Sequence, residues 1–109
     1  MKKLLFLCSK NKLRSPTAEA VFSEYEGLEV ESAGLNQDAE IPLSAEMIEW
    51  ADIIFVMEKS HRNKLSKNFQ SFLKGKRVVC LDILDEYDYM DLDLIKLLKD
   101  KVLPLLGTF

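Results

Sequence analysis

The stretch that most constrains the chain spans residues 4–25. An apolar run, Leu4-Leu5-Phe6-Leu7, passes through a short polar segment, Cys8-Ser-Lys-Asn-Lys-Leu-Arg14-Ser15-Pro16, into a helix-forming run from Thr17 to Tyr25. A run that is nearly continuous in apolar residues, instead of alternating, reads as a strand buried on both faces, here residues 2–7. The join to a helix has a chemical consequence. It aims the loop's backbone N–H groups and the positive end of the helix dipole at one small volume, which makes that volume an anion site. Cys8 and Arg14 stand six apart, so a thiol can lie at the floor while a guanidinium grips an oxyanion bidentately. Ser15 is placed to cap the helix, with Pro16 at its first position, where a missing N–H costs nothing.

The remaining elements follow in alternation. The first helix is expected over residues 16–25, with Ala18, Val21, Phe22 and Tyr25 on one face and Gly27 ending it. Leu28-Glu-Val-Glu-Ser-Ala33 alternates in polarity, which suits an edge strand, and Gly34 permits the turn after it. A loop over 35–42 precedes Ser44, a good N-cap for a short helix over 45–50. A third strand is expected over 52–57, a helix over 60–73, a fourth strand over 77–81 and a last helix over 91–103, with Pro104 near its end. The order βαβαβαβα implies an α/β fold with a parallel sheet.

A chain of 109 residues with 48% hydrophobic content suits one domain, residues 1–109, and is short for two. The apolar runs are far below a membrane span, and the N-terminus lacks a long apolar region with a cleavage site, so a cytoplasmic protein with no membrane partner is expected. A net charge of −3 argues against general nucleic-acid binding. Charge is nevertheless uneven: Lys2, Lys3, Lys10, Lys12 and Arg14 gather near the Cys8 loop, and Asp82 to Asp93 is acidic. The two cysteines form no C-x-x-C pair, and Cys80, within Arg77-Val-Val-Cys-Leu81, reads as a small strand hydrophobe. His61, the one histidine, cannot make a His-rich metal site by itself. Trp50 reads as packing at a helix end.

The segment Leu5 to Val21, LFLCSKNKLRSPTAEAV, resembles the signature of the low-molecular-weight protein tyrosine phosphatases, where C-x(5)-R-S lies within C-x-G-N-x-C-R-S-P-x-A-E-A. The chain looks like a short, divergent member of bacterial type. The resemblance implies a four-stranded parallel sheet of order 2-1-3-4 with helices on both faces, flavodoxin-like, and a site at the carboxyl ends of the strands. It implies Cys8 as nucleophile, Arg14 as the phosphate-gripping cation and a proton donor in Asp82-Ile-Leu-Asp85-Glu-Tyr87, which resembles the family's D-x-P-D-P-Y acid loop with both prolines replaced. Asp85 is the choice among Asp82, Asp85 and Asp88, because an aromatic, Tyr87, follows it two places later. The substrate would be held by Ser9, Lys10, Asn11, Lys12, Leu13 and Ser15 of the loop and by Tyr87, with Ser32 bracing the loop through Asn11. Glu58-Lys-Ser-His61 resembles the family's M-D-x-S-N segment without its Asp and Asn.

Implied chemistry is phosphomonoester hydrolysis through a cysteinyl-phosphate, with no cofactor and no metal. Three departures stand out. Lys10 replaces the loop glycine, a cost of about 1 kcal/mol if that position needs a positive φ. Leu13 replaces a second loop cysteine, which weakens an arsenate-reductase reading that needs relay thiols. The segment between the second and third strands is much shorter than the family's, so substrate selection does not carry over. A noncatalytic phosphate-binding or signalling module is the other alternative, and retention of Asp85 and Tyr87 speaks against it. Expected partners are a phosphotyrosine protein or a small or nucleotide phosphomonoester, a phosphorylated nucleic-acid end included, because Lys10 and Lys12 make the mouth basic.

Overall fold

The structure is a computed structural model and describes residues 2–107. Its elements alternate: β1 (Lys2–Cys8), α1 (Arg14–Phe22), β2 (Leu28–Gly34), α2 (Ala45–Trp50), β3 (Ile53–Val56), α3 (Lys59–Phe69), a 3-10 turn (Gln70–Phe72), β4 (Arg77–Cys80) and α4 (Leu92–Leu106). The four strands form one parallel sheet in the order β2-β1-β3-β4, as expected.

β1 lies inside the sheet with a helical layer on each side, and its alternating side chains feed two apolar clusters. Leu4, Phe6 and Cys8 enter the cluster shared with α1 and α4, whereas Leu5 and Leu7 enter the one built with Ile48 of α2 and Leu65 of α3. Phe6 stacks on Phe22 of α1 at 5.5 Å and on Phe55 of β3 at 4.9 Å. Each such fully buried aromatic contributes about 1.5–3 kcal/mol. The parity of β1 thereby carries Cys8 to the α1 and α4 face at the carboxyl end of the sheet, beside the first turn of α1.

Several boundaries differ from expectation. α1 starts at Arg14, two residues early, with Leu13 at its N-cap position and no side-chain cap. The Thr17 N–H and hydroxyl both donate to the Leu13 carbonyl, at 3.1 and 2.7 Å, which closes the first turn without Ser15. Ser15 is therefore inside the helix and fully buried, not its cap. α4 runs to Leu106 and contains Pro104, because Val102 and Leu106 are both buried in the first cluster and that packing outweighs the bond lost at proline. Ser44 does cap α2, accepting from the Met47 N–H at 3.4 Å. Asp91 caps α4 through the Asp93 and Leu94 amides. Trp50, Cys80 and Val78 pack half-buried against the second cluster. Among the described residues no helix is long and apolar enough to cross a membrane.

Candidate active site

Cys8, Ser9, Lys10, Lys12, Leu13, Arg14 and Asp85 line a pocket of about 150 Å³ at the carboxyl ends of β1 and β4. The segment between β1 and α1 is tied down from outside. The Leu35, Asn36 and Glu40 amides donate to the carbonyls of Cys8, Ser9 and Lys10 at 2.9, 2.9 and 3.1 Å. Turning successive carbonyls outward is how a loop presents its N–H groups to an anion. Gly34 makes the docking possible: a Cβ there would sit 2.4 Å from the Ala39 Cβ and 2.8 Å from the Ser9 carbonyl oxygen. The left-handed residue in the loop is Asn11, at φ 58°, and not Lys10. The substituted glycine position therefore carries no positive-φ cost, and asparagine is among the side chains that tolerate this conformation.

Asn11 is also the hub of a buried network, with only 2% of its surface exposed. Its side-chain amide donates to Ser15 Oγ at 3.0 Å and to Ser32 Oγ at 2.9 Å. Ser32 in turn donates to Glu19 Oε1. Ser15 Oγ lies 2.9 Å from Cys8 Sγ. Because Ser15 already accepts from Asn11, its own proton is available to Sγ, so the chain of donors runs toward the sulfur. Ser15 touches Cys8 Sγ from behind and does not line the pocket. The contact between Ser32 and Asn11 was expected from the resemblance. The carboxylate of Glu19 behind it was not singled out, although it sits in the Ala-Glu-Ala segment of the motif.

Arg14 is 4% exposed, at the pocket wall. One terminal nitrogen, Nη1, donates to Glu58 Oε2 at 2.6 Å and to the Ile83 carbonyl at 2.7 Å. Both its protons are thereby used, and the Nε and Nη2 edge remains for a bidentate anion. Asp85 Oδ1 stands 3.7 Å from Arg14 Nε, and the carboxylate is 64% exposed. Asp82 instead lines a separate depression with Glu58, Lys59, Ser60 and Leu84. Tyr87, expected to touch substrate, packs half-buried against the first apolar cluster and is not in the pocket lining. Two residues apart in an extended segment point to opposite sides only if the segment bends, and the irregular stretch between β4 and α4 bends at Asp85.

Two side chains of the site had no role assigned from sequence: Glu58, which clamps Arg14, and His61, which lies behind Ser9. Glu58 follows β3 after the buried Met57, and a charged residue just past a buried strand's carboxyl end was the available signal. His61 is 4% exposed. Its Nδ1 accepts the Glu58 backbone N–H at 3.1 Å while its Nε2 stands 3.0 Å from Ser9 Oγ. Burial pushes the His61 pKa down from its ordinary 6.5, the Arg14 charge adds to this, and Glu58 and Asp85 oppose it. Lys10 is engaged by Asp38 at 3.1 Å on the surface, where it holds that carboxyl below its usual range. Lys12 is exposed at the pocket mouth. Cys80 is two strands from Cys8, and its thiol faces Asp82 Oδ1 at 3.5 Å.

Residues 3–50 match the family model described as low molecular weight phosphotyrosine protein phosphatase. The matched residues hold the loop, Asn11, Arg14, Ser32 and Gly34; Glu58, His61 and Asp85 lie beyond them. Solved structures similar to this chain agree in fold. The YwlE arginine phosphatase from Geobacillus stearothermophilus superposes with a TM-score of 0.77 at 22% identity, over 97% of this chain and 93% of that one. SP-PTP, a low molecular weight protein tyrosine phosphatase from Streptococcus pyogenes, gives 0.78 at 17% identity, over 98% and 92%. The tyrosine phosphatase Wzb from Escherichia coli K30, solved in complex with phosphate, gives 0.75 at 19% identity, over 95% of each chain. No curated protein sequence matches the chain.

Proposed function

We propose that this protein is a phosphatase that hydrolyses phosphomonoesters through a cysteinyl-phosphate on Cys8. The observation that carries the reading is the pocket in which Cys8, the free edge of Arg14 and the Asp85 carboxylate meet. Arg14 and the loop amides would bind the three non-bridging oxygens. The Cys8 thiolate attacks phosphorus in line; the ester P–O bond breaks, and protonated Asp85 gives its proton to the leaving oxygen. Asp85 as carboxylate then takes a proton from the water that attacks phosphorus. The P–S bond breaks, which returns the thiolate and releases inorganic phosphate. A bound phosphoryl group competes with Asp85 for Arg14 Nε, which frees the carboxyl for the leaving group. A thiol nucleophile fits a reducing compartment, and the cytoplasm is the location we propose.

Similar folds carry the names arginine phosphatase and tyrosine phosphatase. The Lys12 charge at the mouth disfavours a cationic phosphoguanidinium and favours an ester with a further anionic group. Lys10, paired with Asp38, adds little to that preference. A phosphotyrosine in an acidic peptide or a nucleotide monoester fits.

Aryl-phosphate turnover with orthovanadate as competitor tests the reading. The expected results are turnover, competitive inhibition, and a Cys8→Ser variant that binds vanadate but turns nothing over. Vanadate binding by the unaltered protein with no turnover of any ester would leave a phosphate-binding module and defeat the proposal.

A further inference from the structure

Ser9 lines the pocket, and the reaction as described uses only its amide. Its surroundings determine where its hydroxyl proton goes. His61 Nδ1 accepts the Glu58 N–H, so that nitrogen carries no proton, and in the neutral ring the proton sits on Nε2. Nε2–H then donates to Ser9 Oγ across 3.0 Å. The alternative imidazolium would set an Nδ1–H against the Glu58 N–H, two donors facing each other in a buried position. Burial and the neighbouring Arg14 charge favour the neutral ring as well. With one lone pair of Oγ occupied by His61, the Ser9 proton is directed away from the ring. Ser9 lines the same small volume as Cys8 and Arg14.

We infer that the Ser9 hydroxyl is an additional donor to the bound phosphoryl oxygens and that His61 is its positioning residue. The inference rests on the reading of this pocket as a phosphoryl site. It gives the buried histidine a function distinct from its structural one. As the third residue of α3, His61 completes a reciprocal cap with Glu58 through Nδ1, whereas only Nε2 reaches the loop. The two nitrogens serve two purposes, and substitution can separate them.

Asparagine at 61 keeps an acceptor near the Nδ1 position but cannot reach Ser9. Glutamine extends a donor toward the Nε2 position. Orthovanadate dissociation constants and kcat and KM on an aryl phosphate would be measured for Ser9→Ala, His61→Asn, His61→Gln and the Ser9→Ala/His61→Asn double variant. Ser9→Ala and His61→Asn should each weaken vanadate binding about tenfold, the worth of one hydrogen bond to a charged group. The double variant should be no weaker than either single one, because both remove the same bond. His61→Gln should recover most of the affinity. Vanadate binding by Ser9→Ala equal to that of the unaltered protein would overturn the inference while leaving the phosphatase reading intact. So would a double variant weakened by the product of the single effects. Failure of the unaltered protein itself to bind vanadate would overturn both. Should His61→Asn not fold, Ser9→Ala decides alone.

Discussion

Two loops meet at the pocket, and they are built in opposite ways. The one between β1 and α1 is held from three sides: by the amides of residues 35, 36 and 40 on its carbonyls, by Asn11 and Ser32 beneath it, and by His61 beside it. The one between β4 and α4 is anchored near its ends. The Ile83 amide donates to the Met57 carbonyl at 2.8 Å, and the Met90 amide donates to Thr17 Oγ1 at 2.9 Å. Leu84, Asp85 and Tyr89 are exposed between those anchors. The difference matches the two tasks of the proposed reaction. Stabilising charge on phosphoryl oxygens requires donors already in place before reaction, since reorganising them would cost what they contribute. A proton donor must meet leaving groups of varied shape and must let product out, which the exposed stretch around Asp85 allows.

The largest expected effect tests the exposed loop. Asp85→Asn should lower kcat about 10²- to 10⁴-fold on an alkyl phosphate or phosphotyrosine, and far less on a nitrophenyl ester, whose leaving group needs little protonation. Because the side chain is exposed, thermal stability should move by less than about 0.5 kcal/mol. If Asp82→Asn or Asp88→Asn shows the leaving-group pattern instead, Asp85 is not the donor.

Gly34→Ala breaks the buttressed loop. A Cβ 2.4 Å from the Ala39 Cβ and 2.8 Å from the Ser9 carbonyl forces the two loops apart. A loss of about 1–3 kcal/mol in stability is expected, as for other overpacking, together with weaker vanadate binding. A normal melting midpoint with unchanged binding would show that the loop is not held in the way described.

The smallest effect is a pH dependence of stability. His61 has its pKa pushed below the ordinary 6.5, so in the window below pH 6.5 the unfolded chain binds more protons than the folded one. Stability contributed by the neutral ring is therefore complete above that value and falls as pH drops through the window. Denaturant titrations between pH 7.5 and 5 should show that slope, and His61→Asn should reduce it; equal slopes would remove His61 from the account.

How much of this was legible from sequence depends on the range of the interaction. Cys8 and Arg14 were readable because both sit on one strand–loop–helix unit whose geometry is local. Asp85 was chosen by resemblance, and it lies in the pocket because the carboxyl ends of β1 and β4 share one edge of the sheet. Ser15 was misread as a cap. A serine before a helical run is ordinarily one, but here Leu13 and Thr17 close the turn and leave the hydroxyl to Cys8. The cost set on Lys10 depends on a positive φ at that position, and the left-handed conformation falls one residue later, at Asn11.

By itself the sequence determined what is periodic or contiguous: four strands and four helices in alternation, the parity that sends Cys8 to one face of β1, and the loop that joins thiol and guanidinium. Tertiary structure decided which groups hold those two in place. Glu58 lies 44 residues from Arg14, and His61 lies 52 from Ser9. Their pairing depends on β3 lying next to β1, so that the start of α3 stands beside the loop between β1 and α1. A carboxylate or an imidazole carries no mark in sequence of the partner it will meet, because that partner is chosen by strand order and register. The physical reason is that hydrogen bonds act over about 3 Å, and only the folded sheet brings residues so distant in the chain within that reach.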